Sequence, residues 1–130
     1  TGLAERISMR IDAAPNLPLA IIDRTLFSRA VINVIENALH AMPGTGQLTI
    51  GATSQDQSIV VEITDTGVGM DADAIARIFE PYFSTKATGT GLGLTIAKRN
   101  IELAGGTISV SSARGVGSTV TIRVPVAAIV

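Results

Sequence analysis

Cysteine and tryptophan are absent from the chain, and histidine occurs once, at His40. Without thiols there is no disulfide, no thiolate metal site and no cysteine nucleophile, and one imidazole cannot build a zinc cluster. Aromatic residues are scarce at 3%. No apolar run reaches the roughly eighteen residues of a membrane-spanning helix, and no charged-then-apolar leader opens the sequence. Charge is balanced: ten Lys and Arg against eleven Asp and Glu leave a net charge of -1. With no dense basic run, nucleic acid is set aside as a partner. A soluble, cytoplasmic domain without membrane contact is expected, monomeric when isolated.

What is present is 46% hydrophobic residue in 130 positions. That is one domain's worth, 1–130, able to bury about two thirds of its unfolded surface. The chain opens on Thr1 rather than Met, which reads as a piece of a longer protein.

Five segments alternate apolar and polar residues with period two: Ile7, Met9, Ile11; Leu48, Ile50, Ala52; Ile59, Val61, Ile63; Ile108, Val110; and Val120, Ile122, Val124. They predict strands with one buried face in a largely antiparallel sheet. Helices are predicted at about Asp23 to Met42, Asp71 to Phe79 and Gly93 to Ala104. In the first, Phe27, Ala30, Val31, Val34, Ile35, Ala38 and Met42 form an apolar stripe, with Asp23 as N-cap. Pro43-Gly44 and Gly105-Gly106 stop the first and last helices. The order is β, α, β, β, α, loop, α, β, β. Only the Glu80 to Thr90 loop is long, irregular and glycine-ending, a length that marks functional loops.

Several polar features exceed what a core needs. Asn33 and Asn37 are four apart and His40 three further on, sharing a face beside the apolar stripe. Asparagine is a middling helix former. The pair reads either as solvated boundary residues or as amide-oxygen ligands for a hard cation such as Mg²⁺. In "DTGVGM", Asp65 to Met70, an acceptor stands at a strand end, followed by glycines that permit positive φ and close backbone approach. An ordinary turn is the alternative. In "GTGLGLTIAKR", Gly89 to Arg99, glycine-freed N–H groups precede a helix N-terminus and make an anion site suited to phosphate. It is neither a dinucleotide fingerprint, because it follows a loop rather than a strand, nor a P-loop, because Gly-Lys-Ser/Thr is missing. Lys86 in the loop before it offers a charge to a terminal phosphate.

Taken together, in this order and spacing, these features resemble the catalytic and ATP-binding domain of sensor histidine kinases, in the superfamily shared with DNA gyrase and MutL. Nearly the whole chain takes part. "NVIENALHAM" looks like the N box, "DTGVGM" the first glycine box, "IFEPYFSTK" the F box, "GTGLGL" the second glycine box and "GVGSTVTIRVPV" the closing strand, with F-box and lid wording close to nitrogen-regulation-type kinases. The resemblance implies the Bergerat ATP-binding fold, an α+β two-layer α/β sandwich whose mixed, mostly antiparallel five-stranded sheet is covered by three helices. It implies ATP and Mg²⁺ as cofactors. It assigns Asn33 and Asn37 to Mg²⁺ and phosphate, His40 to a phosphate, and Asp65 to the adenine amino group. Gly67 and Gly69 would shape the adenine pocket, with Ala41, Met70, Ile78 and Phe79 also contacting nucleotide. Lys86, Gly89, Thr90, Gly91, Leu92, Gly93 and Leu94 would form the lid and phosphate cradle, and Thr119 the base of the pocket. Asn33, Asn37 and Lys86 are the expected catalytic set.

Two departures qualify the likeness. The superfamily's ATPases carry Glu, which activates water, where this chain has Asn33. An amide cannot take that proton, which favours transfer to a histidine over hydrolysis. Glu36 is not expected to replace it. The helical hairpin bearing the phosphoacceptor histidine is not in this chain, and His40, inside the nucleotide site by the resemblance, cannot be that acceptor. The implied partners are that dimerisation hairpin in the parent protein and a response regulator receiver domain. A serine kinase of the anti-sigma type and a nucleotide-binding regulatory module without turnover are the competing expectations.

Overall fold

The first strand, β1 (Ile7–Ala13), enters the sheet at its edge, pairing in parallel with β2 (Gly46–Gln55). The computed structural model describes residues 6–81, 83 and 93–126. Between β1 and β2 the chain crosses over through α1 (Arg24–His40), as a parallel pair requires. Then β3 (Ser58–Asp65) returns antiparallel through a two-residue turn, Asp56 and Gln57, both at positive φ of 50° and 65°. That geometry is the type I′ hairpin turn whose twist suits the flanking strands. After α2 (Ala72–Arg77) and α3 (Gly93–Leu103), the hairpin β4 (Thr107–Ala113) and β5 (Gly117–Pro125) completes a five-stranded sheet in the order β1-β2-β3-β5-β4. All pairings except β1–β2 are antiparallel. The mixed sheet under three helices is the α+β sandwich that the sequence implies.

Helix boundaries follow local chemistry. The Asp23 carboxylate accepts from the Leu26 N–H at 3.0 Å, capping α1, and Asp71 caps α2 by accepting from the Ala74 N–H at 2.9 Å. Pro43 disfavours helix at the residue before it, and α1 ends at His40. The end of α3 is a Schellman motif: Gly106 N–H donates to the Ile101 carbonyl, Gly105 N–H to that of Glu102, and Gly105 sits at φ +83°. The Arg6 guanidinium, unremarked in the sequence, donates to the carbonyls of Met42 and Gly44 just past the end of α1.

The core lies between the sheet and the helices. Ala30, Val34, Ala38 and Met42 from α1 and the turn after it meet Leu94, Ala97 and Ile101 of α3 over Leu48, Ile63, Val120, Ile122 and Val124. One expectation fails at the edge. Ile7 is buried, but Met9 and Ile11 on the same strand face are 55% and 68% exposed. The helices lie over β3 and β4, so the outer part of β1 projects beyond their cover. Period-two alternation marks a strand there without marking a buried face.

Candidate functional site

On α1, Asn33, Asn37 and Ala41 recur every four residues and so form one row along the helix, about 6 Å between members. Both asparagines are half-buried at the margin of the buried Ala30–Val34–Ala38 stripe, and His40 is exposed in the last turn. Ala41, at the C-cap, ends the row against the segment after β3: its carbonyl accepts from the Val68 N–H at 3.0 Å. The amide pair therefore runs toward the Asp65–Met70 turn.

Asp65 is the last residue of β3, in phase with Ile59, Val61 and Ile63, so its side chain falls on the helix-covered face. It is only 5% exposed. Its Oδ1 accepts from the Gly67 N–H at 2.8 Å. Burial raises the carboxyl above its usual pKa of 3.8, against the backbone N–H groups of Gly67 and Ser118, which pull it down. A buried carboxyl that receives two backbone N–H groups still has acceptor capacity on its oxygens, and the desolvation it suffers favours a further donor brought by a ligand.

The turn after Asp65 is tied on three sides. Gln47 N–H donates to Thr66 Oγ1 at 2.9 Å while Thr66 N–H donates back to the Gln47 carbonyl at 3.2 Å. Val68 is held to α1 through Ala41 and, by its own carbonyl, to the Gly115 N–H at 2.7 Å. Met70 N–H donates to Ser112 Oγ at 2.8 Å. The glycines are required by these approaches. A Cβ on Gly67 would stand 2.5 Å from the Ala41 carbonyl oxygen, and one on Gly69, at φ +71°, would overlap the Ala113 carbonyl. Their immediate role is to bring the turn against α1 and the β4–β5 hairpin.

Thr119 is not at the base of this pocket. Ser118, Val120, Ile122 and Val124 share the helix-covered face of β5, so Thr119 points through the sheet to the other side, where its hydroxyl bonds that of Thr64. Ser118 instead stands directly across from Asp65. Its hydroxyl joins Ser112, which also donates to the Gly117 carbonyl. Neither serine was singled out in the sequence. The signal was there: Ser118 is a polar residue at an inward position of an otherwise apolar alternation.

The F-box residues divide. Ile78 is buried in the core cluster, while Phe79 is half-buried and its carbonyl accepts from Thr95 Oγ1 at 2.9 Å, tying the end of α2 to the first turn of α3. Leu94 is buried, which leaves its backbone alone for any ligand, and Gly93 precedes it with open space at its Cβ position among the described residues. Lys86, Gly89, Thr90, Gly91 and Leu92 lie outside the described residues. Among the described residues no three His, Cys, Asp or Glu side chains gather to hold a metal ion. No helix among them is long and apolar enough to cross a membrane.

A five-stranded mixed sheet roofed by three helices is the fold this chain shares with histidine kinase catalytic domains. The mycobacterial sensor histidine kinase MprB shares it with a TM-score of 0.84 at 28% identity, over 98% of this chain and 88% of that one. ShkA, solved full-length in complex with AMPPNP, gives a TM-score of 0.81 at 28% identity, over 95% of this chain and 27% of that one. Residues 22–128 match the histidine kinase-, DNA gyrase B-, and HSP90-like ATPase family, and the chain belongs to it. Over 123 residues it is 37% identical to the sensor histidine kinase ZraS of Escherichia coli K12, covering 95% of this chain and 26% of that protein. It is 41% identical over 120 residues to sporulation kinase B of Bacillus subtilis, covering 92% and 28%. The chain thus spans about a quarter of the length of these two relatives.

Proposed function

We propose that this chain binds ATP with Mg²⁺ and is the catalytic domain of a two-component sensor histidine kinase, transferring the γ-phosphoryl to a histidine on a dimerisation domain outside residues 1–130. Asp65 carries the reading: a buried carboxylate, its pKa raised by desolvation, beside a row of amides on α1. Its spare acceptor capacity suits the exocyclic amino group of adenine. Asn33 and Asn37 would hold Mg²⁺ through their amide oxygens, a donor set that fits a hard cation sharing its shell with phosphates. His40, exposed in the last turn of α1, would face a phosphate, and Lys86 with the backbone of Gly89 to Leu94 would balance its charge. Bound there, ATP would supply the transferable group. Asn33 cannot accept a proton from water, so the chain's own residues favour an acceptor that already offers a lone pair, a neutral imidazole. Support also comes from the family and from relatives that are sensor histidine kinases. The partners of this reading are the parent's own helical hairpin and a response regulator receiver domain, and the domain works in the cytoplasm whether or not its parent is anchored in a membrane.

The test is to mix the chain with Mg-ATP and a separately supplied acceptor hairpin. An acid-labile phosphohistidine on the hairpin is the expected product. Nucleotide binding with no transfer would sink the kinase reading in favour of a regulatory module, and an acid-stable phosphoester would replace it with a serine kinase.

A further inference from the structure

One hydroxyl, that of Ser112 on β4, serves three partners. Its Oγ accepts from the Met70 N–H at 2.8 Å, donates to the Gly117 carbonyl at 3.0 Å, and shares a 2.7 Å hydrogen bond with Ser118 Oγ. A serine hydroxyl has one proton and two lone pairs, an amide N–H only donates, and a carbonyl only accepts. Met70 therefore occupies one lone pair and Gly117 takes the proton. The remaining lone pair can meet Ser118 only if Ser118 donates. With its proton committed to Ser112, the Ser118 hydroxyl can act toward any other group only as an acceptor.

The direction of that proton matters because of what stands beside it. Ser118 and Asp65 are directly opposed on β5 and β3, and both side chains lie on the helix-covered face. Opposed residues on one face hold their Cβ atoms about 4.5–5.5 Å apart. An ionised carboxylate also only accepts. The strand ends thus present two acceptors and no donor. Adenine offers a donor at its six position, the amino group, whereas hypoxanthine and guanine offer a keto oxygen there, an acceptor.

Resting on the nucleotide reading above, we propose that Ser112 is a positioning residue for base selection: by taking the Ser118 proton, it keeps the pocket wall acceptor-only and so excludes six-keto purines. Nothing about Ser112 requires contact with the nucleotide. It acts through the direction in which Ser118 points its proton. Without Ser112, the Ser118 proton is no longer committed, and a keto oxygen becomes one of the acceptors open to it.

Titration of the chain with Mg-ATP and Mg-inosine triphosphate tests this in the parent chain, Ser112→Ala, Ser118→Ala and the double variant. Ser112→Ala is expected to narrow the preference for ATP roughly three- to tenfold, the range of one net hydrogen bond. In the Ser118→Ala background the same change should leave the ratio where Ser118→Ala alone puts it, because the hydroxyl it redirects is gone. Should Ser112→Ala not fold, Ser112→Cys keeps the side-chain volume with a poor hydrogen-bonding group and is expected to narrow the ratio, while Ser112→Thr keeps the hydroxyl and the preference. Equal weakening for both nucleotides would reduce Ser112 to a structural tie and overturn the proposal, as would a parent chain that binds both alike. A parent chain that binds neither overturns the nucleotide reading itself.

Discussion

Thr64 and Thr119 share a 3.0 Å hydrogen bond between their hydroxyls as directly opposed residues of β3 and β5. Their neighbours Ile63 and Val120 point into the core, so the threonine pair lies on the far side of the sheet from the helices. Thr119→Val keeps the β-branched shape and removes one cross-strand hydrogen bond, a cost of about 0.5–1.5 kcal/mol in stability. Affinity for ATP should stay within about twofold of the parent chain. Ser118→Ala, on the other face, should weaken it by roughly threefold or more, the scale of one hydrogen bond. Calorimetric titration of the two variants decides between them: a larger loss in Thr119→Val than in Ser118→Ala would return Thr119 to the site.

The placement of Thr119 shows where sequence reading stopped. Strand existence, helix boundaries and element order were legible because each rests on a local signal: alternation, an Asp N-cap, a Pro or Gly stop. The phase of β5 was legible too, since Val120, Ile122 and Val124 mark the inward positions and put Thr119 outward. Only the motif likeness places Thr119 in the pocket, and the alternation contradicts it. Met9 and Ile11 failed for a different reason, because an edge strand's exposure depends on how far a helix layer reaches, which no residue of β1 encodes. The Asp65 site was half legible. Its acceptor and glycines stand in one stretch, but Ser112 and Gly117, which close around it, are more than forty residues away and meet it only through strand pairing.

Asp65 gives the domain a pH dependence of definite sign. Its folded pKa is raised, so the folded chain binds this proton more tightly than the unfolded one. The resulting stabilisation is fully present below about pH 3.8 and is lost as pH rises through the raised value. Asp65→Asn removes that titration. The melting temperature of the variant minus that of the parent chain should climb with pH above 3.8 and then level off; the amide's other effects add only a constant offset. A flat difference across that window would mean that burial does not raise this carboxyl.

Arg6 ties down the turn that follows α1. Its guanidinium donates to the carbonyls of Met42 and Gly44, which follow the last helical turn and precede β2. Arg6→Ala removes both bonds, of which the one to Met42 is partly buried and the one to Gly44 is exposed, and a loss of about 1 kcal/mol is expected in urea unfolding. Both bonds leave one guanidinium nitrogen, Nη1, so an ammonium at that place has donors enough for both carbonyls, and Arg6→Lys should recover most of the loss. No recovery by lysine would assign the effect to packing of the guanidinium and its stem rather than to the two hydrogen bonds.

Gly69 and Gly93 make opposite predictions although both stand in glycine-rich boxes. At Gly69 the backbone has φ +71° and a Cβ would run into the Ala113 carbonyl, so Gly69→Ala combines a left-handed alanine with a backbone clash. A cost of about 2–4 kcal/mol is expected, on the order of 10 °C in melting temperature. At Gly93, φ is not left-handed and a Cβ would meet nothing within 4 Å among the described residues. Alanine is the better helix former there, and Gly93→Ala should be neutral or stabilise by up to about 1 kcal/mol. The methyl group leaves the backbone N–H in place, so a phosphate reading of the helix start by hydrogen bonding alone predicts unchanged ATP affinity. If Gly93→Ala melts higher yet binds ATP more weakly, the glycine serves the approach of the ligand, and the absence of a side chain there is a functional requirement rather than a packing one.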